Sequence, residues 1–88
     1  MSAITEQQLR TLVTAWVRSN SRAPDAKSQR IGDDTDLLAT GLLDSLGFVE
    51  LLAYVEQTTG SAVDLSDADP SEFTTVQGFC RFATRQAN

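Results

Sequence analysis

The stretch Gly41-Leu42-Leu43-Asp44-Ser45-Leu46-Gly47-Phe48-Val49-Glu50-Leu51 ends a long polar loop and opens an amphipathic helix. Its apolar residues fall at helical spacing, and the pattern predicts a helix from about Ser45 to Thr59 that stops at Gly60. Two stripes run along it. Phe48, Leu51, Leu52 and Val55 form a wide face for the core. Leu46, Val49 and Ala53, interleaved with Glu50 and Gln57, form a second, acid-flanked face. A helix needs one apolar stripe for its core, so the second stripe is a candidate partner surface.

The rest of the chain reads as helices around that one. Ile4-Thr5-Glu6-Gln7-Gln8-Leu9 has Thr5 and Gln8 at capping-box spacing, with Ile4 and Leu9 placed for a hydrophobic staple. Leu9, Leu12, Val13, Trp16 and Val17 then recur at threes and fours, which puts a first helix at about residues 5–19. Ser19 to Asp34 is polar and contains the breakers Pro24 and Gly32. Leu37 and Leu38 can pin a short turn there, capped by Asp34. The connection of about 25 residues up to Asp44 is long for a compact domain, and long connections are usually functional or disordered. Downstream, Asp69-Pro70-Ser71-Glu72-Phe73 gives a cap, a proline at the first helical position and an early acid, which predicts one short helix. Thr74 or Thr75 caps a last helix, with Thr74 and Gln77 at capping-box spacing and Val76, Phe79, Cys80 and Ala83 on its core face. No segment alternates as a strand does. The expectation is an all-α single domain over residues 1–88, with three longer helices, one short helix and a long first loop.

Composition narrows the chemistry. The 88 residues are 41% hydrophobic with net charge −5, one cysteine and no histidine. That is enough apolar content for one core, though a chain this short keeps a modest stability margin. Between Ile31 and Cys80 there is no Lys or Arg, while Asp33, Asp34, Asp36, Asp44, Glu50, Glu56, Asp64, Asp67, Asp69 and Glu72 all lie there. Such a field repels nucleic acid and anionic lipid and steers toward basic protein surfaces. The bases Arg10, Arg18, Arg22, Lys27, Arg30, Arg81 and Arg85 lie outside it. Without histidine, imidazole-dependent metal sites and serine–histidine catalysis are excluded. Cys80 can form no internal disulfide and reads as core. No apolar run reaches membrane-spanning length and the N-terminus is not a secretory signal, so a cytoplasmic monomer is expected.

The polar residues admit three readings. Ser45 as a nucleophile has no base, and a nucleophile elbow wants glycine at position 43, which is Leu43. Asp64 to Thr75 fails as a calcium loop, with Asp69 where glycine is needed and Thr75 where glutamate is needed. No metal ligand set and no catalytic residue emerge. As an attachment point, a hydroxyl at a helix start faces unpaired amides that would favour a phosphodiester, and buried Leu42 and Leu43 would hold it outward. On the residues alone, plain helix capping by Asp44 or Ser45 is the stronger reading.

A resemblance changes that balance. GLLDSLGFVELLAYVEQTTG (41–60) resembles the attachment region of acyl carrier proteins, whose mark is Asp-Ser-Leu at the start of the second helix. DLSDADPSEFTTVQGFCRF (64–82) is similar to that family's loop, short third helix and start of the last helix, and DDTDLLATGLL (33–43) to the end of its long loop. The resemblance implies a four-helix bundle in which Ser45 receives 4'-phosphopantetheine from coenzyme A through a magnesium-dependent phosphopantetheinyl transferase. The protein itself would catalyse nothing. It would carry a thioester from an acyl- or aminoacyl-loading ligase or transferase to a ketosynthase or other thioester-using enzyme. Asp44, Leu46, Val49, Glu50 and Ala53 match the face that partners read.

Fatty-acid carriers commonly have an acid after Asp-Ser-Leu, where this chain has Gly47 and then Phe48. That pairing is more similar to stand-alone carriers, such as the D-alanyl carrier protein and discrete carriers of antibiotic pathways. Peptidyl carriers usually have glycine before the serine, unlike Asp44. Arg18, Arg22, Lys27 and Arg30 are also unusual for a housekeeping carrier. The expectation is a discrete carrier in polyketide or mixed polyketide–peptide biosynthesis, with an aminoacyl (D-alanyl or peptidyl) carrier and an unmodified helical interaction domain as alternatives.

Overall fold

In the computed structural model, which describes residues 4–23, 29–66 and 68–87, the chain forms α1 (Glu6–Asn20), α2 (Ser45–Thr59) and α3 (Val76–Ala87). Pro24, Lys27 and Asp67 lie outside the described residues. Local signals set most helix ends. The Thr5 hydroxyl accepts from the Gln8 amide at 3.1 Å, and the Gln8 side chain accepts from the Thr5 amide at 2.9 Å, closing the capping box of α1. Gly60 takes the left-handed conformation (φ 74°) that ends α2. Leu9, Val13 and Val17 of α1, Phe48, Leu51 and Val55 of α2, and Val76, Phe79, Cys80 and Ala83 of α3 are buried in one core, whereas Leu12, expected on the same face of α1, is half-buried at its margin. Trp16 stacks on Tyr54 across α1 and α2 with ring centroids 6.0 Å apart. No helix among the described residues is long and apolar enough to cross a membrane.

The expected short helix is a single 3-10 turn, Pro70–Glu72, so the described residues form three α-helices and not four. Its local signals are present: Asp69 accepts from the Ser71 amide at 3.0 Å, and Glu72 accepts from the Asp69 amide at 2.8 Å. A turn this short has no helical stability of its own, and tertiary packing stops it from growing. Phe73 leaves helical geometry at once (φ −134°, ψ 7°), and its ring lies 5.8 Å from that of Phe48. The Glu72 carbonyl sits so close to α3 that a Cβ on Gly78 would be 2.6 Å from its oxygen.

The long loop is ordered by α3 where it approaches α2. The Leu37 amide donates to the Thr74 carbonyl at 2.8 Å, the Val76 amide to Thr35 at 3.0 Å and the Gln77 amide to Asp33 at 2.9 Å. Asp36 and Thr75 form an isolated antiparallel bridge there. This joint corrects one cap expectation and decides another between its two candidates. The turn after Thr35 is capped by Asp36, not Asp34: one Asp36 oxygen accepts from the Leu38 and Ala39 amides at 3.0 and 2.8 Å. Its other oxygen accepts from the Thr74 hydroxyl at 3.0 Å. Thr74 is therefore occupied, and Thr75 caps α3 by accepting from the Gly78 amide at 3.0 Å. The Ala39 amide holds the Asp36 carboxyl below its ordinary range against a partial burial that opposes it, and Thr74 and Leu38 add to the lowering.

Gly78 separates two opposing effects. Alanine at a helical glycine normally gains about 1 kcal/mol. Here its Cβ would meet backbone, and overpacking of that kind costs about 1–3 kcal/mol. Gly78→Ala is expected to lower stability by a net amount of up to about 2 kcal/mol in urea unfolding followed by helical circular dichroism. A gain in stability would show that the turn and α3 are not packed this tightly.

Candidate functional site

Four residues of backbone bring Ser45 to the surface. Gly41 turns in the left-handed conformation (φ 78°) that a side chain would strain. Leu42 and Leu43 then drop into the core at 1% and 4% exposure. The Leu43 amide donates to the Leu37 carbonyl at 2.9 Å, and the Ser21 hydroxyl donates to the Leu42 carbonyl. Asp44 closes the approach as the cap of α2. Its carboxylate accepts from the Gly47 amide at 2.6 Å, and its carbonyl accepts the first helical bond from Phe48 at 2.9 Å.

Ser45 is consequently the first residue inside α2, exposed, and relieved of capping. Its hydroxyl has no hydrogen-bond partner among the described residues. The capping alternative is thus resolved in favour of Asp44. An unengaged hydroxyl at the positive end of a helix dipole suits a phosphodiester, because the helix start favours added negative charge. A cationic side chain and open space lie near this helix start. The Arg22 guanidinium lies within 3.7 Å of the neighbouring Asp44 carboxylate. Beside it is a cavity of about 180 Å³ bordered by Asn20, Arg22, Ala23, Gly41, Asp44 and Gly47.

Gly47 has a packing reason. It is buried, and a Cβ there would lie 3.1 Å from the Asp44 carboxylate and 3.3 Å from Leu43 Cδ2. Any side chain at this position needs the cap carboxylate and the buried leucine to give way slightly. Phe48 likewise belongs to the interior, 5.5 Å from the ring of Phe79.

The second stripe of α2 stands out as expected. Leu46 and Val49 are 60% and 58% exposed, and Glu50 and Ala53 are exposed beside them. Its charge differs from what the linear order suggests. Arg22 reaches across with Nη1 at 3.7 Å from Asp44 and Nη2 at 3.4 Å from Glu50. Arg10 likewise pairs with Glu6 at 2.6 Å and with Asp33 at 3.3 Å. The segment without basic residues is therefore not a surface without them. Arg22 and Ser21 carried no motif that singled them out for this site. Their roles follow from a separation of 28 residues between Arg22 and Glu50 and of 21 between Ser21 and Leu42.

Asp64 and Asp69 serve local turns. Asp64 accepts from the Ser66 amide at 2.9 Å, and Asp69 accepts from the Ser71 hydroxyl at 2.8 Å. Each carboxyl sits below its ordinary range for that reason, Asp64 through the Ser66 side chain first and Asp69 through the Ser71 amide first. Among the described residues no acid or cysteine cluster could hold a metal ion. Burial pushes the Cys80 thiol up to about 12, so it is neutral and inert at physiological pH.

A family model described as the phosphopantetheine attachment site matches residues 10–83 of the chain. No individual curated protein matches it.

Asp44→Ala is expected to cost about 1 kcal/mol in urea unfolding, since loss of an N-cap typically costs about 0.5–2 kcal/mol. Asp44→Asn, which keeps the acceptor, should recover most of it. Equal stability of the alanine variant and the parent would remove Asp44 as the cap.

Proposed function

The chain belongs to the phosphopantetheine-attachment family, and from that premise we propose that Ser45 is the residue that bears the prosthetic group. Members of this family hold 4'-phosphopantetheine covalently. They are generally carriers rather than catalysts, and they work with a phosphopantetheinyl transferase and with thioester-using enzymes. The observation that carries the assignment of Ser45 is its exposed hydroxyl, unpartnered among the described residues, on the first residue of α2.

In the transfer, Ser45 Oγ forms the new bond to phosphorus. The pyrophosphate bond of coenzyme A breaks, adenosine 3',5'-bisphosphate leaves with its electron pair, and the serine proton passes to a base of the transferase. When bound, the arm supplies a terminal thiol on which cargo rides as a thioester. The protein's own tasks are to present Ser45 on a rigid helix start and to offer a docking face. Leu46, Val49 and Ala53 give a modest apolar contact, and Asp44 and Glu50 give charge that speeds encounter with basic partners.

The cargo is an acyl group and the setting polyketide or mixed polyketide–peptide assembly. Support for this comes from Asp44, which is unlike the usual peptidyl carriers, and from Gly47-Phe48, which is unlike the fatty-acid carriers and is shared with discrete carriers, the D-alanyl type included. The packing around Gly47 supplies a second, structural reason for that glycine.

Incubation with coenzyme A, magnesium and a broad-specificity transferase is expected to add one phosphopantetheine by intact mass, and Ser45→Ala to abolish the gain. A neutral-pH thiol reagent should then label the native modified protein once and the native unmodified protein not at all, because the Cys80 thiol is buried and raised to about 12. No mass gain where a control carrier is modified would overturn the assignment. Glu50→Lys should lower kcat/KM with a cognate enzyme by about five- to tenfold, near 1 kcal/mol, and leave the circular dichroism unchanged. Equal rates would remove the acidic face from recognition.

A further inference from the structure

Arg22 makes the ion pairs to α2 and its cap among the described residues, one to Glu50 and one to Asp44. Its backbone is tethered there. The preceding Ser21 hydroxyl donates to the Leu42 carbonyl and accepts from the Ala23 amide at 3.1 Å. Its side chain is not tethered: it is 59% exposed, and each of its pairs is a single long contact, 3.7 Å to Asp44 and 3.4 Å to Glu50. Exposed pairs of that kind are weak and easily exchanged.

Attaching a phosphodiester to Ser45 alters this balance. The new anion stands one residue from the Asp44 carboxylate, and like charges so placed repel. Asp44 cannot turn away without giving up its bond to the Gly47 amide. The unbridged oxygens of a phosphodiester also match the planar fork of a guanidinium better than two separate carboxylates do.

We infer that Arg22 is a counterion that changes partner with the modification state of Ser45. It screens Asp44 and Glu50 in the unmodified chain and moves to the phosphodiester once that group is attached. Both carboxylates then face a basic partner unscreened, so the docking surface is made ready by the modification itself. This rests on the assignment of Ser45 given above. Arg22 acts here as a positioning residue, through charge and not through bond making.

The test compares unmodified and modified full-length protein, with intact mass read first. On modification, the Arg22 Nε–H signal and the Glu50 side-chain carboxyl carbon signal are expected to shift. The phosphorus resonance of the modified protein should move in Arg22→Gln and lie nearer its original position in Arg22→Lys. The Glu50 response should be lost in Arg22→Gln. Glu50 lies well along α2 from Ser45, so its response reports departure of Arg22 rather than the phosphate itself. An amide spectrum of each variant that overlays the parent away from residues 20–50 keeps folding out of the comparison. Mass gain with unchanged Arg22 and Glu50 signals, and an unmoved phosphorus resonance in Arg22→Gln, would overturn this inference alone. Absence of mass gain would overturn the assignment of Ser45 and this inference with it.

Discussion

Leu37 sits in the interior at 0% exposure, in the middle of a long irregular segment, and both of its backbone groups must find partners there. Its amide reaches Thr74 ahead of α3, and its carbonyl receives the Leu43 amide ahead of α2. One buried residue therefore joins the two places where the loop could otherwise drift. Asp36 reinforces the joint from next door by holding the Leu38 and Ala39 amides with one oxygen and the Thr74 hydroxyl with the other. The start of α2 is held as firmly as a loop-borne element can be, because a shift would leave polar backbone unpaired in an apolar interior.

That constraint prepares the site around Ser45. With Leu42 and Leu43 fixed in the core and Asp44 committed to the Gly47 amide, the serine is left over: exposed and unengaged among the described residues. The same crowding accounts for glycine at position 47, where any Cβ would press on the cap and on Leu43. The departure from the fatty-acid pattern at this position therefore also has a local packing consequence: a larger residue requires the Asp44 and Leu43 side chains to give way slightly. The exposed stripe of Leu46, Val49 and Ala53 borders it directly, so the exposed serine and the exposed apolar stripe are parts of one helix.

Much of this was legible in the sequence where the signal was local. Thr5 and Gln8 lie three residues apart, and their reciprocal cap forms as their spacing predicts. Ser45 and Thr59 bound α2 because Asp44 and Gly60 flank it with their own local chemistry. The sequence was ambiguous where two local candidates competed and a distant group chose between them. Asp34 and Asp36 are both plausible caps, and Thr74, on the far side of the chain, selects Asp36. Thr74 is thereby lost as a cap for α3, and Thr75 takes that place. The predicted short helix has its cap, its proline and its acid, yet it closes after one 3-10 turn because Gly78 and Phe48 fix where the chain must go next.

The sequence by itself determined the apolar faces, the ends of α1 and α2, the aspartate–serine pair at a helix start and the likeness to carrier proteins. Each of these depends on neighbours within a turn or two, whose geometry the backbone enforces wherever the helix is placed. Only the tertiary structure decided the charge around Ser45. The segment from Ile31 to Cys80 contains no base, but Arg22 is brought onto it from outside, against Asp44 and Glu50. Charges far apart in sequence meet only after loop hydrogen bonds have fixed the path between them. Those bonds, from Ser21 to Leu42 and from Leu37 to Thr74 and Leu43, are long-range choices that no local pattern encodes.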